Sequence, residues 1–161
     1  MDTTQQPTVQ LTQEGYNEIL SELKELKESK LPLAIDRVAT ARSFGDLSEN
    51  AEYHAAREDL SLMEGRIQEL ENILVSAQII TPKKTAKNGK KAVSLGTRVR
   101  VKLGKKEHQF HLVGEFEADP KIGKISHQSP LGKALIGCAE GEQIEVEVPA
   151  GKVVYTIVEI E

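Results

Sequence analysis

The sequence has a single cysteine, Cys138, no tryptophan, and only three tyrosines and three phenylalanines. One cysteine excludes an internal disulfide, so a reducing compartment is the simplest prediction. Cys138 is interpreted as a small hydrophobic residue, because no His or Cys motif accompanies it. The scarcity of aromatic rings argues against a protein that grips single-stranded nucleic acid on stacking platforms of its own.

Long apolar runs are also missing. None approaches the roughly 20 residues needed to cross a bilayer. The first ten residues are polar and contain neither a basic segment nor an apolar core, so they do not resemble a signal peptide. We therefore expect a cytoplasmic protein.

A strong excess of positive charge is absent from both halves of the chain. Residues 1–77 carry 7 Lys and Arg against 15 Asp and Glu, and residues 78–161 carry 14 against 10. Neither half resembles a binder of duplex DNA. The change of sign predicts two domains whose surfaces meet different partners.

The acidic half shows helical periodicity. Thr12 is a good N-cap, and apolar residues then recur at spacings of four and three, at Ile19, Leu23 and Leu26. Pro32 interrupts the helix, and the pattern resumes at Ile35, Val38 and Ala41, which indicates a kink rather than an end. Gly45 ends this first arm.

A second arm has the clearer pattern, with alternating spacings of four and three over three heptads: Ala56, Leu60, Met63, Ile67, Leu70, Leu74 and Ala77. This is typical of a coiled-coil seam. Because the connection between the arms is short, we expect them to pair antiparallel. At 1.5 Å per residue each arm is about 40 to 50 Å long.

Beyond Thr81-Pro82 the lysine-rich residues 83–91 are interpreted as a linker, and the period changes to two from Ser94. Strands are expected over residues 98–103, 108–113, 143–148 and 152–160, and a short helix over 130–136 that ends at Gly137. The predicted fold class is α+β, with a coiled-coil domain at 1–80, a linker at 81–93 and a sheet-dominated domain at 94–161.

The turn between the arms places Asp46 and Glu49 at the tip of the predicted rod. Asp-x-x-Glu matches a capping box, and Ser48 is a competing cap. The alternative is that both carboxylates bind a divalent cation. Mg²⁺ is usually held by one or two carboxylates together with phosphates and water, so such a tip needs a partner that supplies the remaining ligands.

Four arginines accompany the tip: Arg37, Arg42, Arg57 and Arg66. They suit either ordinary ion pairing with Glu52, Glu58 or Asp59, or phosphate contacts near the tip. His54 has no Cys or His partner at ligand spacing and is interpreted as surface packing. Ser129 is a candidate cap for the helix that follows it.

The segment from Gly45 to Glu58, Gly-Asp-Leu-Ser-Glu-Asn-Ala-Glu-Tyr-His-Ala-Ala-Arg-Glu, closely resembles the tip of the Gre transcript cleavage factors. The resemblance extends over about residues 11–160. It includes Glu64-Gly65-Arg66-Ile67, residues 72–78, the segment from Ile125 to Gly137 with its Ser-Pro-Leu-Gly, and the closing Pro-x-Gly hairpin. The tip motif beside a coiled coil is highly specific.

This resemblance implies a concrete activity. In that family the coiled coil enters the secondary channel of bacterial RNA polymerase, and an FKBP-like C-terminal domain docks on the channel rim. The tip acids, here Asp46 and Glu49, help to hold a catalytic Mg²⁺ of the polymerase, which then cleaves the 3′ end of backtracked RNA. The factor would not itself be an enzyme and would act as a monomer. By similarity, Arg42 and Arg57 contact the RNA, and Ser129 and Pro130 contact the polymerase.

Some features differ from the family, and other functions remain open. Gln128 replaces an acidic residue that some relatives carry before Ser-Pro, and the sequence shows no aromatic-lined pocket for prolyl isomerase activity. The alternatives are an inhibitory relative, whose tip acids would be altered, a coiled-coil adaptor, and an autonomous metal-dependent nuclease. Intact acids at 46 and 49 favour stimulation of cleavage over inhibition.

Overall fold

A computed structural model describes residues 8–45, 49–81, 86–87 and 89–161, with the side chains of 86 and 87 excepted. It forms two compact units. The helical unit is Tyr16–Ser76, and the sheet unit combines the residues up to Gly15 with Ala77–Glu161. No helix among the described residues has the length and apolar character needed to traverse a bilayer.

The first arm contains α1 (Gln13–Glu25), a π-helical turn (Leu26–Lys30) and α2 (Leu31–Ser43), and the second arm is α3 (Ala51–Ser76). The predicted N-cap is confirmed, because the Thr12 hydroxyl accepts a hydrogen bond from the Gly15 amide at 3.0 Å.

Pairing between the arms is antiparallel, as the sequence predicts. Glu22 in α1 forms an ion pair with Arg66 in α3, and Arg37 in α2 pairs with Glu52 near the start of α3. Side chains of the second arm are buried at Ala56, Ile67, Leu70 and Ile73. Three of these four belong to the predicted seam, so the coiled coil is confirmed.

Pro32 neither ends the first arm nor sits in an ordinary α-helical turn. The π turn precedes it, and the Leu31 amide bonds to the Leu26 carbonyl five residues back. An α-helix would press the proline ring against the carbonyl of residue 28, and the wider turn relieves that contact.

The extra residue in the π turn also moves the apolar seam of α2. Leu26 and Ala41 are buried, and Leu31, Ala34 and Val38 are half-buried between them, so the inward positions jump by five at the turn. Ile35, predicted to face inward, is 51% exposed. The prediction for Ile35 is therefore wrong, because the sequence analysis continued an α-helical period through the turn.

The sheet unit is built on five strands: β5 (Arg98–Leu103), β6 (Lys106–Val113), β7 (Lys124–Ser126), β8 (Gln143–Val148) and β9 (Gly151–Ile160). Their order in the sheet is β7-β6-β5-β9-β8. All neighbours are antiparallel except β6 and β7. One short helix, α4 (Pro130–Leu135), contributes Leu135 to a core formed with Val93, Val99, Val101, Leu112 and Ile157. The α+β class and the predicted strands are confirmed.

Two small ladders were not predicted. Strand β1 (Val9–Leu11) pairs in parallel with β2 (Ala77–Ile79), and β3 (Ala86–Lys87) pairs antiparallel with β4 (Lys90–Lys91). Val93 is buried and exchanges backbone hydrogen bonds with Gly137 and Cys138. Residues at both ends of the expected coiled-coil domain, and the last residues of the expected linker, therefore belong to the sheet unit.

A buried carboxylate secures the N-terminal strand of the sheet unit. Glu117, in a 3₁₀ turn (Glu115–Glu117), accepts hydrogen bonds from the Thr12 amide and the Thr12 hydroxyl, both at 2.6 Å. A Cβ on Gly15 would lie 2.0 Å from the Glu117 carboxyl carbon, so only glycine fits there. Residues more than a hundred positions apart are thereby joined.

Candidate functional site at the coiled-coil tip

The first arm ends at the glycine that the sequence analysis identified. Phe44 is the C-cap of α2, and Gly45 adopts a left-handed conformation with φ of 80°. The Gly45 amide donates to the Arg42 carbonyl at 3.3 Å. Because this conformation disfavours side chains, glycine is the natural residue for turning the chain away from the helix.

Asn50 begins the second arm. Its Oδ1 accepts from the Tyr53 amide at 3.0 Å, which is the N-cap hydrogen bond of α3. Its Nδ2 donates to the Ala41 carbonyl in the last turn of α2 at 2.8 Å. One amide side chain therefore caps one helix and bonds to the end of the other.

The described residues place a different side chain at the start of the second arm from the caps that the sequence suggests. Helix α3 begins at Ala51, and Asn50 makes its N-cap hydrogen bond. Asp46 and Ser48, the caps suggested by the sequence, lie outside the described residues. Glu49 is exposed, and its carboxylate has no hydrogen-bond or ion-pair partner among the described residues. With Asn50 as the cap of α3, the contacts among the described residues give the Glu49 side chain no structural role.

Two of the four arginines are held by carboxylates. Arg37 bonds to Glu52 and Asp59 at 2.9 Å, and the hydrogen bond to Glu52, followed by the attraction of its charge, raises the pKa of the Arg37 guanidinium. Arg66 bonds to Glu22 and Glu69, which likewise raise its pKa. The ion-pair interpretation is confirmed for these two residues.

Arg42 and Arg57 differ from that pair. Both are exposed, and neither forms an ion pair or a side-chain hydrogen bond within the described ranges. They are the arginines for which the resemblance implies RNA contact. His54 is exposed, with its ring 5.7 Å from the Tyr53 ring, as its interpretation as surface packing predicts.

Among the described residues, the tip offers a metal ion one exposed carboxylate, that of Glu49. In the part of the chain that the structure describes, no three His, Cys, Asp or Glu side chains converge on one point. Glu49 offers an exposed carboxylate, a ligand suited to Mg²⁺. A single such group leaves most of the coordination sphere to water or to another molecule.

In the sheet unit, Ser129 is the N-cap of α4. Its hydroxyl accepts from the Gly132 amide at 3.0 Å and donates to the Ser126 carbonyl at 2.7 Å. Pro130 follows at the first helical position and is exposed, as is Gln128 before the cap. The predicted cap is confirmed, and it presents Pro130 and Gln128 to solvent.

Sequence reasoning missed Asn50, although a signal was present. Asparagine is among the strongest N-caps, and it stands directly before the apolar-periodic segment that starts near Ala51. The Asp-x-x-Glu pattern directed attention to the two acids instead. The bond from Asn50 to the Ala41 carbonyl has no sequence signal, because it depends on how the arms meet.

Two family models match this chain. The family model described as "Transcription elongation factor, N-terminal" matches residues 9–79, and "Transcription elongation factor, GreA/GreB, C-term" matches residues 88–161. The chain belongs to the GreA/GreB family of transcription elongation factors.

Relatives within the family align over nearly the whole chain. Transcription elongation factor GreA of Thermodesulfovibrio yellowstonii is 49% identical, with 94% of this chain and 96% of the relative covered. The GreA of Paracoccus denitrificans is 45% identical at the same coverage. Among solved structures, GreA factor homolog 1 (Gfh1) of Thermus thermophilus is 27% identical with a TM-score of 0.44, and 96% of this chain and 99% of that chain are covered.

Proposed function

We propose that this elongation factor binds bacterial RNA polymerase, inserts its coiled coil into the secondary channel and stimulates cleavage of the 3′ end of backtracked RNA. The observation that carries the proposal is the state of Glu49 at the tip. It is exposed, unpartnered among the described residues and relieved of capping by Asn50. A tip carboxylate with no internal role suits a site completed by another molecule.

The factor contributes ligands and the polymerase contributes the rest of the active site. The carboxylates of Glu49 and Asp46 would hold one Mg²⁺ together with polymerase groups and RNA phosphate. A divalent cation so placed lowers the pKa of a bound water and offsets charge on the phosphate. Glu49 would also accept a hydrogen bond from the attacking water and thereby orient it. Hydrolysis therefore belongs to the polymerase, and the factor is not itself an enzyme.

Arg42 and Arg57 would contact the extruded RNA. A guanidinium that already pairs with a carboxylate must lose that bond before it binds phosphate, whereas these two have no such bond to lose. Arg37 and Arg66 are engaged within the coiled coil and suit a structural role.

The sheet unit would dock on the polymerase rim through the loop before α4. Ser129 shapes this loop through its two internal hydrogen bonds, and Pro130 is presented on its surface. Ser129 thus supports docking by fixing the loop, while Pro130 makes contact. A monomer is sufficient for this arrangement.

The test uses halted elongation complexes that have backtracked, with the RNA labelled at its 5′ end. Addition of the factor should shorten the transcript by a few nucleotides, and Asp46→Asn or Glu49→Gln should abolish shortening while polymerase binding persists. Arg66→Gln serves as the matched control. Unchanged cleavage by both acid variants contradicts the proposal, slowed nucleotide addition indicates an inhibitor, and cleavage of naked RNA indicates a nuclease.

A further inference from the structure

Asn50 uses both ends of its side chain at the junction of the arms. The Tyr53 amide is a donor and needs Oδ1, and the Ala41 carbonyl is an acceptor and needs Nδ2. No other side chain of this length offers an acceptor and a donor on one rigid plane. Aspartate and serine keep the cap, but aspartate has no donor and serine is too short to bridge.

Residues on both sides of positions 46–48 are bonded to the last turn of α2. The Gly45 backbone amide donates to the Arg42 carbonyl, and Asn50 Nδ2 donates to the Ala41 carbonyl. The two acceptors are adjacent carbonyls of one helical turn. The Ala41 side chain itself is only 1% exposed, so the attachment point is held by packing.

Glu49 is the residue directly before Asn50. Its own side chain forms no hydrogen bond or ion pair with the described part of the chain. The backbone from which it projects is fixed through its neighbour. Loss of the bond to the Ala41 carbonyl leaves α3 capped but removes this link between the start of α3 and the end of α2, so the Glu49 carboxylate can shift relative to α2.

We propose that Asn50 is a positioning residue for the Glu49 carboxylate, acting through the hydrogen bond from its Nδ2 to the Ala41 carbonyl. This inference rests on the proposed function, because the position of Glu49 matters only if its carboxylate is used. Misplacing a reacting group by about 1 Å costs on the order of a hundredfold in rate.

The test measures transcript cleavage in backtracked complexes as a function of factor concentration. Asn50→Ser and Asn50→Asp both retain the α3 cap and lose the bridge. The saturated rate should fall on the order of tenfold to a hundredfold for both. The concentration that gives half of that rate should stay within about twofold, because docking surfaces are unchanged. Serine adds no charge, so comparing the two variants separates the effect of losing the hydrogen bond to the Ala41 carbonyl from the effect of the negative charge that aspartate adds.

Controls separate this inference from the proposed function. Asn72→Ser makes the same chemical change at an exposed position of α3 and should leave the rate unchanged. If Asp46→Asn and Glu49→Gln both cleave normally, the proposed function fails, and if Glu49→Gln alone cleaves normally, the positioning role is overturned. If Glu49→Gln is inactive but both Asn50 variants cleave at the wild-type rate, the positioning role alone is overturned. A shift in half-saturation with an unchanged saturated rate also overturns it, since that indicates docking.

Discussion

At the scale of single residues, the tip combines one anchored amide with one free carboxylate. Asn50 bonds to both arms, whereas Glu49 beside it has no partner among the described residues. The sequence identified both acids and suggested capping as one of two roles for them, whereas the cap of α3 that the structure describes is Asn50. Residue spacing identifies side chains that are able to cap a helix. Which of them does so depends on where the helix begins, and the backbone structure shows this.

The arginines provide a matched comparison at the same scale. We expect Arg42→Gln and Arg57→Gln each to reduce transcript cleavage several-fold with an unchanged melting temperature, because their guanidinium groups make no bond within the described residues.

Arg66→Gln is the control for this prediction. It should leave cleavage unchanged and cost about 1 kcal/mol or less of unfolding free energy, since its ion pairs are partly exposed. Cleavage rates and thermal unfolding of the three variants provide the check. Equal loss of cleavage in all three would contradict the distinction between paired and unpaired arginines.

Glu117 is a buried carboxylate of the sheet unit that accepts two hydrogen bonds from Thr12. Glu117→Ala leaves the buried Thr12 amide and hydroxyl without their acceptor, so we expect a loss of about 2 to 4 kcal/mol in unfolding free energy. Urea denaturation measures it, with the exposed Glu115→Ala as the control. A loss below about 1 kcal/mol in Glu117→Ala would contradict this prediction, because it would show that the Thr12 amide and hydroxyl find other acceptors.

At the scale of elements, regular patterns were predictable and interruptions were not. Alternating residues such as Val99 and Val101 identified β5, and Gly137 marked the end of α4. The π turn was not predicted, because a five-residue step between inward-facing positions looks in the sequence like an interruption of the apolar pattern. The pairing of β1 with β2 was not predicted, because Val9 and Ala77 are far apart in the sequence and no local pattern relates them.

The π turn yields a prediction about chain length. Deleting Glu28 together with Pro32→Ala should turn residues 26–31 into an ordinary α-helix and leave the seam intact on both sides, because the π turn holds one extra residue. Helicity by circular dichroism and the unfolding free energy should stay within about 1 kcal/mol of the wild type.

Deleting Ala39 instead is the matched comparison. It rotates Ala41 about 100° away from the seam, so this variant should lose several kcal/mol. Equal losses of unfolding free energy in the two deletion variants would contradict the claim that the extra residue is accommodated only in the π turn.

At the scale of the whole molecule, the acidic helical unit and the mildly basic sheet unit present different surfaces to a partner. Family membership follows from matches that cover residues 9–79 and 88–161. Insertion into the polymerase and stimulation of cleavage are proposals, and they require that the tip carboxylates hold Mg²⁺ only together with ligands from the polymerase.

Free protein should therefore bind Mg²⁺ weakly. Isothermal titration calorimetry should detect no site tighter than about 1 mM, because no three metal-ligating side chains converge among the described residues. Asp46→Asn should leave the titration unchanged. A saturable site in the micromolar range that this substitution removes would contradict the shared-metal account.

The most direct test of the central claim is the Mg²⁺ dependence of transcript cleavage at saturating factor. Backtracked complexes are mixed with wild-type factor or Glu49→Gln, and the single-turnover rate is measured across Mg²⁺ concentrations. If Glu49 supplies a ligand, the variant requires a higher Mg²⁺ concentration for half of its maximal rate or fails to reach the wild-type maximum at any concentration. Superimposable curves would contradict the claim that the Glu49 carboxylate acts on the metal.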